Sequence, residues 1–180
     1  TCVDDVARAA LVYLRHENFD SDTVLQNKAI SLLHFVLQMQ SPNNYFYNFL
    51  FPDGSINKTG TTSTNRADWW SWRAFQALTE AAPKIKRLNA PLYLKIEVAV
   101  KKLAGNIKAD LAPLPKHTKL VKGLKVPQWL PAGSATDQSA ILILGLVNYC
   151  SLYEDEVLKS YIRTLGEGIL QMQLGDTKAF

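Results

Sequence analysis

Cysteine is scarce in this chain, and the common metal and nucleotide motifs are missing. Its 180 residues include two cysteines, Cys2 and Cys150, which fit either one disulfide or two buried free thiols. The three histidines do not combine with them at zinc-ligand spacing. There is no GxSxG motif, no P-loop and no GxGxxG turn before a strand. We therefore expect no metal, no cofactor, no nucleotide site and no serine-hydrolase site.

Long hydrophobic runs are also missing. The longest, AILILGLV at 140–147, is far shorter than the roughly 20 residues of a membrane-spanning helix, so no membrane partner is expected. The 47% hydrophobic and 20% charged residues are typical of a globular chain with a core. The sequence starts at Thr1 without a methionine, as after removal of a leader or of a longer N-terminal part. A periplasmic or extracellular location is favoured, and a cytoplasmic one stays open.

Acidic residues are nearly missing between positions 84 and 125. Eleven lysines and arginines lie there against Glu97 and Asp110. Such a segment could attract a nucleic acid or an anionic polymer. Aromatic residues are not interleaved with these lysines as a single-strand binder requires. The favoured interpretation is the solvated face of an outer helix, with no nucleic-acid partner.

Hydrophobic periodicity predicts six helical segments. They cover residues 4–17, 21–40, 67–82, 91–112, 134–153 and 155–173. The first, third and fifth carry an acid near their start (Asp5, Asp68 and Asp137) and are apolar on most faces after it, and Pro83 is expected to end the third. The other three are amphipathic. Their apolar stripes comprise Leu25, Ala29, Leu32, Val36 and Met39, then Leu92, Ile96, Ala99, Leu103, Ile107 and Leu111, then Leu158, Ile162, Leu165, Ile169 and Met172.

This alternation predicts an all-α fold of helical hairpins. A helix that is apolar all round needs neighbours on every side, which an inner layer wrapped by an outer layer provides. Each hairpin runs from an inner to an outer helix, over about 4–40, 67–112 and 134–173, in a single domain of residues 1–180. Three hairpins leave helix flanks unpaired. We therefore expect an incomplete (α/α)6 barrel, about half of an α/α toroid, completed by the remainder of the same toroid or by self-association through the exposed flanks.

An internal repeat supports the hairpins. The early acids of the three inner helices lie 63 and 69 residues apart. Two outer helices end in the same letters, LQMQ, at 37–40 and 170–173. β-Strand alternation is weak, although YFYNFLF at 45–51 could form a short strand beside GSIN at 54–57.

Three sequence features resemble those of a known family. Inner helices opening with DDVARAALVYL, outer helices ending in LQMQ, and FPDGSIN followed by WWSWRAFQAL resemble the six-hairpin glycosidase-like proteins. The resemblance covers almost the whole chain. It implies an (α/α)6 toroid and a carbohydrate partner, bound in a cleft at the end of the barrel where the inner helices begin.

The cleft that this resemblance implies contains three candidate catalytic acids, Asp5, Asp68 and Asp137. Glycoside hydrolysis needs two carboxyl groups, about 5–5.5 Å apart for retention or about 6.5–9.5 Å for inversion, and one of them must be protonated. Acids in the first turn of a helix also cap it without any catalytic role. Asp5 and Asp68 rank first because Arg8 and Arg73 can orient them. The candidate substrate-binding residues are Asp4, Arg8, Trp69, Trp70, Arg73, Trp129 and Asp53.

The tryptophans of WWSW at 69–72 divide between core and cleft. Trp69 and Trp72 share a helical face, and Trp70 is turned about 100° away. An indole that faces a cleft stacks on the apolar face of a sugar ring. Trp69 and Trp70 are equally suited to the core and to the cleft, and core packing is favoured for Trp72.

The favoured function is a glycoside hydrolase acting on an oligo- or polysaccharide through carboxylate acid/base chemistry. One alternative is a non-catalytic glycan- or protein-binding module. Another is a polysaccharide lyase on an anionic glycan, with Tyr45 or Tyr47 as the base. A terpene-cyclase type of toroid would need an acid-rich motif, which is not clear beyond VDD at 3–5.

Overall fold

All six periodic segments form helices in a computed structural model, which describes residues 1–173. The fold is all-α, as predicted, with 62% helix and a small two-stranded sheet. The helices are α1 (Val3–Leu14), α2 (Thr23–Gln38), α3 (Trp69–Leu88), α4 (Ala90–Leu111), α5 (Pro131–Ser134), α6 (Thr136–Leu152) and α7 (Glu156–Gln171), and the strands are β1 (Thr118–Val121) and β2 (Leu124–Pro127). The residues that follow the second LQMQ copy lie outside the described part of the chain.

Side-chain caps set where four of the helices begin. Asp22 caps α2, Asp68 caps α3, Asn89 caps α4 and Asp155 caps α7, each by accepting a hydrogen bond from a backbone N–H of the first turn. Such caps satisfy donors that have no partner within the helix. Asn89 also ends α3, so α3 and α4 are joined through a single residue.

The two helices that contain the LQMQ copies end at the same position of the motif. In both, the helix stops at the first glutamine of the motif and the methionine forms the C-cap, with φ −81° and ψ −4° at Met39 and φ −82° and ψ −8° at Met172. Both methionine N–H groups donate to carbonyls three and four residues earlier. The repeated letters therefore correspond to a repeated local structure.

The expectation that Pro83 ends the third helix is wrong, because α3 continues to Leu88. Pro83 has no N–H to donate to the preceding turn. The side chains of Ala81, Ala82 and Ile85 around it are fully buried. Their burial stabilises the last turns of α3 more than the missing hydrogen bond destabilises them.

The helices α1, α3 and α6 run parallel in one layer with α3 in the middle, and we call them the inner helices and their layer the inner layer. Near their starts, Asp4 of α1 contacts Arg73 of α3. Near the end of α1, the Lys84 Nζ of α3 donates to the Leu14 carbonyl oxygen over 2.6 Å. The Trp72 indole of α3 likewise meets the first turn of α6. The other long helices, α2, α4 and α7, each return alongside the inner helix that precedes them.

How completely a helix is buried depends on its position in the two layers and not on whether it is an inner or an outer helix. The central helix α3 is buried on nearly all sides, and the apolar stripe predicted for α4 is buried throughout. The expectation that all three inner helices are enclosed is wrong for α1 and α6. Val12 is 69% exposed, and Leu144 and Val147 are 49% and 45% exposed. Only α3 has inner helices on both of its sides, so the other two keep exposed apolar side chains.

The close packing of α3 on α6 depends on Gly145. A Cβ at this position would lie 2.5 Å from Cδ1 of Phe75, which is fully buried. The Phe75 ring in turn packs against the Tyr149 ring, with centroids 5.8 Å apart. A glycine within the most apolar run of the sequence therefore sets the distance between the two helices.

Two loops carry extended backbone. The predicted strand pairing near residues 45–57 is reduced to isolated antiparallel bridges, of which one joins Leu50 and Ile56. The β1–β2 hairpin was not predicted. Its two-residue turn has positive φ at Lys122 (49°) and Gly123 (84°), which suits the twist of a hairpin, but Lys-Gly is a weaker turn signal than Asn-Gly.

Cys2 and Cys150 are both free thiols. Cys2 immediately precedes α1 and Cys150 lies near the end of α6. Because α1 and α6 run parallel, the two sulfurs lie at opposite ends of the inner layer. Among residues 1–173, no helix is long and apolar enough to cross a membrane.

Candidate functional site

The inner helices begin at one end of the fold, and this brings the candidate acids to that end. Asp4 in the first turn of α1 contacts Arg73 in the first turn of α3. Asp68, the N-cap of α3, accepts a hydrogen bond from Gln138 Nε2 of α6 over 3.4 Å. Asp137 is the neighbour of Gln138 in the first turn of α6. Asp5, Asp68 and Asp137 therefore share one end of the inner layer.

Four charged residues at this end form the acid–arginine cluster: Asp4, Asp5, Arg8 and Arg73. Arg8 Nη2 contacts Asp5 Oδ1 and lies 3.4 Å from Asp4 Oδ2. Arg73 Nε lies 3.3 Å from Asp4 Oδ1. This last pair of atoms is buried and forms no hydrogen bond, so it is an ion pair without hydrogen-bond geometry. The Asp4 carboxylate thus lies between two guanidinium groups from two helices.

A groove continues from the acid–arginine cluster along the inner layer. It has a volume of about 400 Å³ and is lined by Arg8, Leu11, Val12, Arg15, Arg73, Gln76 and Leu144. These residues come from α1, α3 and α6, on the side of the layer that does not pack against the outer helices. Its size is in the range of ligand sites in proteins, about 300–1,000 Å³. We call this surface the inner groove.

Asp5 is an ionised carboxylate in this arrangement. Cys2 Sγ donates to Asp5 Oδ2 over 3.1 Å, and this contact and the Arg8 guanidinium lower the pKa of the Asp5 carboxyl. Burial, in turn, raises the pKa of the Cys2 thiol. A lowered pKa suits a base or a nucleophile and does not suit a protonated acid. Arg8 contacts Asp5, as its place three residues along the same helix leads one to expect.

Asp68 is tied into the structure by more contacts than the sequence indicated. Its side chain is only 14% exposed, and it accepts hydrogen bonds from the backbone N–H of Trp69, from Arg66 Nε and from Gln138 Nε2. The expectation that Arg73 orients Asp68 is wrong. The Asp68 side chain turns toward the helix N–H groups that it caps, so Arg66 reaches it and Arg73 turns to α1.

The three clustered tryptophans separate into two buried rings and one half-buried ring. Trp70 Nε1 donates to the Phe46 carbonyl oxygen over 2.7 Å, and Trp72 Nε1 donates to Gln138 Oε1 over 3.0 Å. Both rings are buried, so their N–H groups need these partners. The expectation of core packing for Trp72 is confirmed, and Trp70 joins it. Trp69 stays half-buried and is the most exposed of the three rings.

Two candidate binding residues lie away from the acid–arginine cluster. Trp129 packs on α7, where its Nε1 donates to the Thr164 carbonyl oxygen over 3.1 Å. Asp53 lies in an exposed turn and accepts hydrogen bonds from the N–H and hydroxyl of Ser55, and these bonds lower the pKa of the Asp53 carboxyl. The contacts of both residues are structural.

Asp110 and Tyr45 form a polar pair that sequence reasoning did not connect. The Tyr45 hydroxyl donates to Asp110 Oδ2 at the end of α4. Burial raises the pKa of the Asp110 carboxyl, and burial together with Asp110 raises the pKa of the Tyr45 hydroxyl. A signal was present in the sequence, since Asp110 is one of two acids among the eleven basic residues of segment 84–125.

Within residues 1–173, no group of three or more His, Cys, Asp or Glu side chains could hold a metal ion. The chain matches no protein-family model, and comparison with curated proteins finds none that is similar to it. The resemblance to six-hairpin glycosidase-like proteins therefore rests on the sequence motifs.

Proposed function

We propose that this protein is carbohydrate-active and that its three hairpins form part of an (α/α)6 toroid. The observation that carries the proposal is the convergence of the acid–arginine cluster, Asp68 and Trp69 at the end where α1, α3 and α6 begin. Carboxylates and guanidinium groups hydrogen-bond sugar hydroxyls, and a half-buried indole stacks on a sugar ring. The saccharide lies in the inner groove, with one end at the acid–arginine cluster.

The toroid is supported by the layered arrangement. Three parallel inner helices, each followed by a helix that returns along it, are the repeating unit of such a ring. The inner groove exposes Val12 and Leu144 on the side that faces away from the outer helices. In a toroid this side faces the central axis, and the remainder of the ring or a second copy of the chain shields it.

Hydrolysis of a glycosidic bond is the reaction that we propose for this site. Asp5, with its lowered pKa, serves as the ionised carboxylate, either nucleophile or base. The protonated partner is one of the other two helix-start acids, Asp68 or Asp137. Asp68 is held by Arg66 and Gln138, whereas Asp137 is exposed and belongs to none of the ion pairs of residues 1–173.

A second candidate function is a non-catalytic glycan-binding module. The observation that favours it is the pairing of Asp4, Asp5 and Asp68 with arginines, because paired carboxylates also bind sugars without reacting. The lyase alternative is weakened at Tyr45, whose hydroxyl is a donor with a raised pKa and is a poor base.

A glycan array read together with a reducing-end assay tests the proposal. Wild type is expected to bind an oligosaccharide and to release sugar from it. Asp5→Asn keeps an exposed side chain of the same shape, and we expect it to lose release while binding is retained. Asp53→Asn, in the exposed turn, is the matched control and keeps both.

Each outcome of this experiment decides between the candidates. Binding without release in wild type selects the non-catalytic module. Release that is equal in wild type and Asp5→Asn removes Asp5 from the reaction. If wild type neither binds nor releases any glycan on the array, the carbohydrate proposal is wrong.

A further inference from the structure

A second cavity lies between the layers, away from the inner groove. It has a volume of about 200 Å³, is partly open to solvent, and is lined by residues of α3, α4, α5 and α6 and of the segments next to them. Apart from Asp110, the residues that line it are apolar and include Trp72, Ile107, Leu114, Ala132 and Leu142. We call it the interlayer cavity. An apolar cavity of about 150 Å³ is large enough to hold benzene.

Among residues 1–173, Asp110 is the one charged side chain that lines the interlayer cavity. Its Oδ2 accepts the Tyr45 hydroxyl hydrogen bond, which is the one hydrogen bond to its carboxylate within residues 1–173. Asp110 is half-buried, and its other carboxylate oxygen is open to solvent. None of the ion pairs in that part of the chain includes Asp110. A partly buried carboxylate without a cation is costly, and burial raises the pKa of the Asp110 carboxyl accordingly.

The short element α5 closes one side of the interlayer cavity. Its backbone is left-handed at Ala132, Gly133 and Ser134, with φ of 52°, 70° and 77°. Two of these residues carry a Cβ, for which this conformation is unfavourable. The Ser134 hydroxyl anchors the turn by donating to the Pro127 carbonyl oxygen. Strained backbone that the surroundings hold in place occurs often at ligand sites.

We propose that the interlayer cavity binds a small monoamine, a compact hydrocarbon body that carries one ammonium group against Asp110. The ammonium supplies the counter-charge that the carboxylate lacks among residues 1–173. The apolar walls contact the hydrocarbon body. A carboxylate excludes an anionic ligand, and a cavity with one polar group among apolar walls leaves the hydroxyls of a sugar without partners.

This site does not depend on the proposed carbohydrate function. The acid–arginine cluster belongs to α1 and α3 and faces the inner groove, whereas Asp110 belongs to α4 and faces the space between α3, α4 and α6. Trp72 contributes to the cavity wall, but its N–H is engaged with Gln138. A saccharide in the inner groove and an amine in the interlayer cavity would touch different side chains.

Benzylamine is a suitable probe, with benzyl alcohol as the neutral molecule of nearly the same shape. We expect benzylamine to bind to the full chain at pH 7 and benzyl alcohol to bind about tenfold more weakly. Binding is followed by calorimetry and by the indole N–H cross-peaks in a two-dimensional ¹H–¹⁵N spectrum. The Trp72 cross-peak, assigned with Trp72→Phe, is expected to shift, and the Trp70 cross-peak is expected to stay.

Two variants test the location of the amine. Asp110→Asn keeps an acceptor for the Tyr45 hydroxyl but removes the charge, and we expect about tenfold weaker benzylamine binding. Ala67→Phe places a ring at an exposed position that lines the cavity, and we expect it to block binding while the fold is kept. Asp20→Asn, an exposed acid paired with Arg87, is the matched control and binds as wild type does.

The proposal is overturned if benzylamine does not bind, if it binds no better than benzyl alcohol, or if Asp110→Asn binds it as tightly as wild type. Unchanged affinity in Ala67→Phe also overturns it, because the amine then lies elsewhere. Since Ala67→Phe leaves Asp110 in place, it tests the cavity even if Asp110→Asn is poorly folded. None of these results bears on glycan binding.

Discussion

Asp4 of α1 and Arg73 of α3 face each other across the inner layer, with Oδ1 and Nε 3.3 Å apart and both atoms buried. The contact joins the first hairpin to the second, and it places two charges at the end of the inner groove. Arg8 approaches the other oxygen of the same carboxylate. The Asp4–Arg73 ion pair therefore contributes both to the packing of the two hairpins and to the charges at the candidate site.

Removal of the Arg73 guanidinium is expected to destabilise the fold modestly. Arg73→Met keeps much of the stem but leaves Asp4 Oδ1 buried beside no cation. Both side chains are partly exposed, so we expect a loss of about 1 kcal/mol in the free energy of unfolding. Urea denaturation measures it. Arg87→Met, which breaks an exposed pair with Asp20, is the control and should change stability by less than about 0.5 kcal/mol. Equal effects would show that burial of the Asp4 pair is unimportant.

The raised pKa of Asp110 predicts a pH-dependent stability. The folded chain holds this proton more tightly than the unfolded chain, so Asp110 favours folding fully below the unfolded aspartate pKa of about 3.9. The contribution is lost as the pH rises through the higher folded pKa. The Tyr45 hydroxyl that faces Asp110 stays protonated throughout this range, because its own pKa is raised.

Asp110→Asn cannot lose the proton, so its stability relative to wild type should increase as the pH rises from about 4 to 7. Urea denaturation at a series of pH values measures the difference between the two proteins. Asp20→Asn is the control, since its carboxylate is exposed at the surface. A difference between wild type and Asp110→Asn that is constant with pH would contradict the assignment.

The exposed apolar side chains of the inner groove should drive association if a partner covers this surface. Val12→Lys combined with Leu144→Lys removes two of them, and the added charges disfavour burial. We expect the double variant to be monomeric at concentrations where wild type associates, as measured by size-exclusion chromatography with light scattering. Val98→Lys, at an exposed position on α4, is the control. Equal masses for wild type and the double variant would contradict the prediction.

Substitution of Trp72 should mainly reduce stability, and substitution of Trp69 should mainly weaken glycan binding. Trp72→Phe removes the donor to Gln138 Oε1 and leaves a gap in the core, so we expect a loss of about 2–3 kcal/mol. Trp69→Phe removes part of a half-buried ring and should cost less than about 1 kcal/mol. Thermal unfolding measures both. Glycan binding should weaken in Trp69→Phe, and unchanged binding would remove this indole from the site.

Much of the helical framework could be predicted because its signals are local. Apolar residues three and four positions apart define each helix face, and Asp22 and Asp68 are acceptors at helix starts. The contact between Asp5 and Arg8 could also be predicted from local spacing, because the two residues lie three positions apart on α1. The LQMQ copies end two helices alike for the same reason.

The candidate site was only partly predictable, because its remaining contacts join residues far apart in the chain. Nothing in the spacing of Asp4 and Arg73 indicates that they pair, or that Asp68 accepts a hydrogen bond from Gln138. Asp110 stood out as an acid among lysines, but its burial beside Tyr45 depends on the packing of α4 against the loop before α3.

The amino-acid sequence by itself determined the long helices, the Asp22 cap of α2 and the end of the inner layer at which the early acids lie, since each depends on residues within one or two turns. Only the tertiary structure decided that α3 passes through Pro83, that Trp70 and Trp72 are buried, and which arginine each acid contacts. Those outcomes depend on the apolar area buried and the donors satisfied between separate helices, and a linear pattern does not contain that information.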